Sequence, residues 1–204
     1  METVPGSHGP QADTENWMRP PAHGWTASQV RDLVLPFDWE LTDGVVTAVG
    51  ETPVWHNHVR GGLRTALKSV AEAGRYDVVT SQCVLVDDRN APAPDVIVFD
   101  PHTLDYFDLT CVPVERLALV IEVVSPCSRQ HDRVRKPALF ATAKVPCYWR
   151  VELDRDNKLT VHEHWLNADT RSYIPAPLHP VHQGKLVTEL PFPVQIDLDA
   201  LVGF

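Results

Sequence analysis

What the chain lacks narrows the choices first. Its 204 residues contain no apolar run approaching the roughly 20 that a membrane-spanning helix needs. The opening segment METVPGSHGPQADTENWMRPPAHG has neither the basic start nor the apolar core of a secretory leader, so a cytoplasmic protein is expected. Cys83, Cys111, Cys127 and Cys147 stand far apart with no CxxC pair. That spacing argues against a zinc ribbon or redox motif and predicts scattered reduced thiols. Basic charge is also short: 18 Lys and Arg against 27 Asp and Glu leave a net charge of −9. Proteins that bind nucleic acid through their overall field are basic, so nucleic acid here would need a local basic patch or a metal ion.

Residues 1–24 are rich in Pro, Gly and polar side chains without periodicity and predict a flexible tail, leaving one domain over 25–204. TASQVRDLVLP predicts a short helix stopped by Pro36, and Asp43-Gly44 between strand formers predicts a hairpin. Between Pro53 and Gly74, Val59, Leu63, Ala66, Leu67, Val70 and Ala71 recur at helical spacing. RYDVVTSQCVLV, APDVIVFD and LALVIEVV read as strands, and a helix is expected over about 132–143. CYWRVELD and LTVHEHWL pair across a tight RDNK turn, with short strands near 171–174 and 194–197. The order predicts an α/β (mixed α+β) domain around one mixed sheet flanked by helices.

Within LALVIEVV, Glu122 is the one polar residue in a run that reads as a buried strand. A lone carboxylate there costs several kcal/mol or shifts its pKa, so it needs a partner. Asp95 opens the neighbouring strand; two converging carboxylates make a hard-oxygen site for Mg²⁺ or Mn²⁺. Lys136, four residues after Asp132, is the candidate cation for the attacking water or the developing charge.

APDVIVFD, LALVIEVVSPCSRQHDRVRK and ALFATAKVPCYWRVELD together resemble the Uma2 family, of the PD-(D/E)XK nuclease-like superfamily. The similarity extends upstream through WELTDGVV and PVWHNHVRGGLRTAL, over roughly residues 26–200. It implies a restriction-endonuclease-like core and metal-dependent hydrolysis of nucleic-acid phosphodiesters. By position, Asp95 and Glu122 become the metal pair, Glu40 a third ligand, and His56 or His58 the histidine at the start of the long helix. The superfamily's lysine two residues after the Glu is Val124 here, and Lys136 on the following helix stands in for it. Pro137 directly after Lys136, Phe140 and Lys144 depart from the family pattern.

Other roles compete residue by residue. An ion pair with Arg116 would also explain Glu122. Asp132 reads first as a helix cap, and otherwise as the partner that orients Lys136. Arg129, Arg133 and Arg135 form a basic run that reads as a solvated helix face or as the phosphate-contacting patch. His162 and His164 share one strand face, a spacing seen in metal sites, but an exposed edge strand is the simpler reading. Ser125 reads as a turn residue. The expected partners are nucleic acid, DNA first, and a second copy in a homodimer, with no membrane. A non-catalytic regulatory or structural protein on the same fold is the alternative.

Overall fold

A computed structural model describes residues 9–125 and 131–203. Two compact units divide the chain, one of residues 1–49 with 85–92, the other of 50–84 with 93–204. The divisions fall there rather than at residue 24.

In the smaller unit, Thr26 and Gln29 form a reciprocal capping box on the single-turn helix α1 (Ala27–Val30). β1 (Trp39–Thr42) and β2 (Val45–Ala48) pair antiparallel, with Thr42 opposite Val45. Asp43 (φ 48°) and Gly44 (φ 77°) make the left-handed two-residue turn that Asp-Gly predicts. Asn90 reaches into this turn, its Oδ1 accepting the Asp43 N–H at 3.0 Å. Ala12, Trp25, Val30, Leu33, Leu41 and Val46 make the unit's core, with Trp17 against it. Residues 9–24, expected as tail, are therefore folded onto this unit: Trp25 Nε1 donates to the Trp17 carbonyl and the Ala12 N–H to the Gln29 carbonyl. The proline-rich composition hid the anchoring tryptophan and alanine.

The larger unit opens with α2 (Val54–Ala73), whose buried stripe of Val59, Leu63, Leu67 and Ala71 repeats every four residues. RYDVVTSQCVLV is two strands, β3 (Asp77–Thr80) and β4 (Cys83–Leu85), because Ser81 takes a positive φ of 51° between them. β5 (Val96–Phe99), β6 (Cys111–Pro113) and β7 (Leu117–Val123) follow, with every β7 residue buried. A wide helical turn over His131–Arg135 leads into α3 (Lys136–Thr142). Pro137 sits in the first turn of α3, where a missing N–H costs nothing.

β8 (Cys147–Leu153), β9 (Leu159–Asn167), β10 (Ser172–Pro175), β11 (Val181–Gln183), β12 (Lys185–Thr188) and β13 (Val194–Asp197) complete the unit. One nine-stranded mixed sheet runs β13-β12-β11-β9-β8-β7-β5-β3, with β10 also on β9. Only the β7–β8 pairing is parallel among those described. The stripe of α2 covers one face through Val96, Val98, Leu119, Ile121 and Val123. β11 and β12 escape sequence reading because each is only three or four residues, set around Gly184 among prolines.

The cysteine expectation is corrected. Cys83 and Cys111 form a disulfide joining β4 to β6, while Cys147 is a buried free thiol. Their separation of 28 residues is closed by the fold, so no local motif announces the pair.

Candidate functional site

The centre of the larger unit's sheet places the carboxylates. β5 and β7 pair antiparallel with Val96 opposite Ile121. Asp95 directly precedes Val96 in the chain, and Glu122 directly follows Ile121, so the two carboxylates flank this pair. Alternation turns Ile121 and Val123 toward α2 and leaves Glu122 on the opposite face.

Glu122 is only 2% exposed and its Oε1 lies 2.9 Å from Lys136 Nζ. The ion pair with Arg116 is not formed: Arg116 turns to Asp100 at 3.7 Å and to the Thr103 hydroxyl at 3.0 Å. Lys136 arrives because the turn over His131–Arg135 sets it at the start of α3. Asp132, equally buried, brings Oδ1 to 3.8 Å of the same Nζ. Arg135 is the N-cap position of α3 and its side chain makes no cap bond, while Asp132 stands as a partner of Lys136. The Asp132 carbonyl accepts the buried Tyr148 hydroxyl at 2.8 Å, which fixes the turn to β8. Val124, two residues after Glu122, is buried and apolar.

Asp95 faces a different set of partners. Its Oδ2 accepts the Val123 N–H at 2.7 Å and lies 3.3 Å from His56 Nε2. Arg60 Nη1 stands 3.9 Å from the other oxygen. His56 is the histidine that joins the site: it is buried, with Nε2 donating to the Val123 carbonyl at 2.7 Å. His58, two residues on, points out of the helix as an exposed residue. Arg60 escaped sequence reading, though its spacing of one helical turn from His56 was the available signal.

The basic run divides. Arg133 forms a two-pronged pair with Glu152, Nε to Oε1 at 3.1 Å and Nη2 to Oε2 at 2.5 Å. Arg150 Nε meets the same Glu152 Oε1 at 2.8 Å. Burial raises the Glu152 pKa, but the Arg133 hydrogen bond and both arginine charges outweigh it and hold the carboxyl below its ordinary value. Arg135 is half-buried. Arg129 lies outside the described residues. Glu40 lies on β1 of the smaller unit, half-buried.

His162 and His164 do share one face of β9, but β9 is an interior strand, flanked by β8 on one side and β10 and β11 on the other. The edge-strand reading is thus corrected. His162 stands opposite Arg150 and His164 opposite Tyr148. Burial, then the Arg150 charge, lowers the pKa of both imidazoles. On the other face of β9, buried Glu163 accepts from Trp165 Nε1 and Thr188 Oγ1 and pairs with His182 Nε2 at 2.9 Å. Alternation already aligned Glu163 with the apolar Leu159 and Val161, which was the unused signal that it needs buried partners.

Among the described residues no cluster of three or more His, Cys, Asp or Glu side chains is arranged to hold a metal ion. The pair Asp95 and Glu122 still suits Mg²⁺ in donor type. That ion commonly takes one or two carboxylates and completes its shell with waters and substrate phosphate oxygens. Among the described residues no helix is long and apolar enough to cross a membrane.

Comparison with known proteins agrees with this architecture. The Uma2 family model, described as "Putative restriction endonuclease", matches residues 32–199. Among solved structures the chain resembles a "putative nuclease belonging to DUF820" from Anabaena variabilis ATCC 29413, with a TM-score of 0.60 at 14% sequence identity. The match covers 87% of this chain and 98% of that one. No curated protein matches the chain.

Proposed function

The chain belongs to the Uma2 family, and from that membership and the site geometry we propose that it is a metal-dependent endonuclease hydrolysing nucleic-acid phosphodiesters. One observation carries the reading: Lys136 reaches buried Glu122 at 2.9 Å from the next helix. It thereby brings a cation to the carboxylate where Val124 supplies none.

Asp95 and Glu122 would hold Mg²⁺ or Mn²⁺. When bound, the ion polarises a phosphoryl oxygen and acidifies a water. The chain's own residues do the rest. Lys136 places a positive charge where the attacking water or the developing negative charge needs it, and Asp132 keeps the ammonium in place. His56 and the Val123 N–H fix the Asp95 carboxylate, and Arg60 adds charge beside it. Arg135 and Arg129 are proposed phosphate contacts. Arg133 contributes through Glu152, on which it is already held. DNA as substrate, a cytoplasmic setting and a homodimer complete the proposal.

A non-catalytic role on the same fold has its own support. Glu122 is already neutralised by Lys136, and one Asp95 oxygen is committed to a backbone N–H. Incubation of the chain with supercoiled plasmid and with single-stranded DNA separates the two. The nuclease reading expects nicking with Mg²⁺ or Mn²⁺, none with EDTA, and a loss of about 10²–10³-fold in Glu122→Ala. Wild type and variant equally inert across metals and salt would favour the non-catalytic reading.

A further inference from the structure

Beside the Glu122 centre the sheet carries a second concentration of chemistry. The pairing registers run Glu122 of β7, Arg150 of β8 and His162 of β9 in one row across adjacent strands. Residues directly opposite in a sheet share a face, so Arg150 stands on the same face as Glu122, one strand spacing of roughly 4.8 Å away. The parallel row beside it is Val120, Tyr148 and His164. Over these rows opens a cavity of about 330 Å³, whose polar lining is dominated by Arg133, Arg150, Arg171, His164, Tyr148 and Tyr173. Pro137, adjacent to Lys136, forms part of its wall.

The charge of this cavity runs against that of the molecule. The chain carries −9, yet three arginines and no carboxylate line the cavity among the described residues. Glu152 is shared by Arg133 and Arg150, and the Glu122 carboxylate in the same row is paired with Lys136, while Arg171 adds a further cation to the lining. Arg150 Nε stands 2.8 Å from Glu152 Oε1 yet makes no hydrogen bond among the described residues, so this buried guanidinium nitrogen keeps donor capacity to spare. Neighbouring His164 is held toward its neutral form by burial and Arg150, so it can share a hydrogen bond without adding repulsion. Tyr148 and Tyr173 stack at a centroid distance of 5.4 Å and give the cavity a firm floor.

We propose that this cavity is an anion subsite that takes a phosphate group through Arg150 and Arg171. Resting on the nuclease reading, it would hold the phosphate next to the scissile one on the same strand. Guanidinium groups grip phosphate through paired N–H donors. The subsite would let an acidic chain hold a polyanion, because the cationic field is local rather than global.

The test uses the full chain and inorganic phosphate first. Adding phosphate while following the His162 and His164 imidazole signals by NMR should give saturable shifts in wild type. Affinity should fall about tenfold in Arg150→Gln and severalfold in Arg171→Ala, whose exposed position keeps folding out of the comparison. A labelled oligonucleotide titrated over a salt series forms the second arm. There Arg150→Gln should lower the slope of log affinity against log salt by about 1. Absent phosphate shifts, or an Arg150→Gln variant that titrates like wild type, overturns the subsite, even if the protein cleaves DNA. Saturable phosphate shifts in wild type that weaken in both variants, together with no nucleic-acid cleavage under any metal, uphold the anion site and sink the nuclease reading instead.

Discussion

At the scale of single residues the account centres on a buried ion pair. Glu122 and Lys136 are 2% and 12% exposed, so removing one partner strands a charge in a poor solvent. Lys136→Met should lower stability by about 3–5 kcal/mol, read as a shift of the urea midpoint. Adding Glu122→Gln to it should restore much of that loss, because the stranded charge is gone. Simply additive losses would show that the two side chains do not depend on one another. His56 gives a second contrast. His56→Ala removes the donor to the Val123 carbonyl and should cost about 1–3 kcal/mol, with cleavage falling alongside. His58→Ala, on the exposed side of the same helix, should change both far less.

Among the elements, the disulfide and α2 hold the larger unit together in different ways. The Cys83–Cys111 link closes a loop of 28 residues, which restricts the unfolded chain. Replacing both by Ser should cost about 3–4 kcal/mol in urea unfolding. An unchanged midpoint under oxidising conditions would mean that the thiols are not paired in solution. The stripe on α2 acts through packing: Leu63 is fully buried, and Leu63→Ala should cost about 2–5 kcal/mol. In the smaller unit, Gly24 (φ 80°) and Gly44 (φ 77°) approach so closely that a Cβ on either would lie 2.9 Å from the other's Cα. Backbone cannot yield as a side-chain tip can, so Gly24→Ala should open the hairpin's neighbourhood as well as strain its own dihedral.

For the whole molecule, acid should remove stability in two stages of the same sign. His162 and His164 have folded pKa values lowered by burial and by Arg150. The unfolded chain therefore binds more protons, and stability falls as pH drops through about 6.5. For Asp77 burial raises the pKa, but the bonds from Lys68 and Tyr106 more than offset it and set the folded value below 3.8. That contribution is present above the unfolded value and is lost as pH falls below about 4. Urea midpoints measured between pH 3 and 8 check both stages; a midpoint rising on acidification would contradict them.

The parts that were legible in the sequence share a physical reason. The α2 stripe, the Asp43-Gly44 turn and the anomaly of Glu122 are statements about neighbours in the chain or about one buried strand. Glu122 announced a need for a partner, and Lys136 answered it. What stayed hidden depends on register between distant strands: Arg150 beside Glu122, Arg133 on Glu152, Glu163 with His182, and the disulfide. No spacing along the chain encodes those pairings. The anchoring of residues 9–24 stayed hidden for another reason, since two or three apolar contacts suffice to hold a segment whose average composition is polar.

The central claim, that Asp95 and Glu122 together bind a divalent ion, is tested most directly by anomalous scattering from a crystal of the chain soaked in Mn²⁺. The account predicts a single strong peak in contact with both carboxylates, absent in Glu122→Gln crystals treated identically. A well-occupied peak elsewhere, or none beside these residues at saturating Mn²⁺, would contradict it.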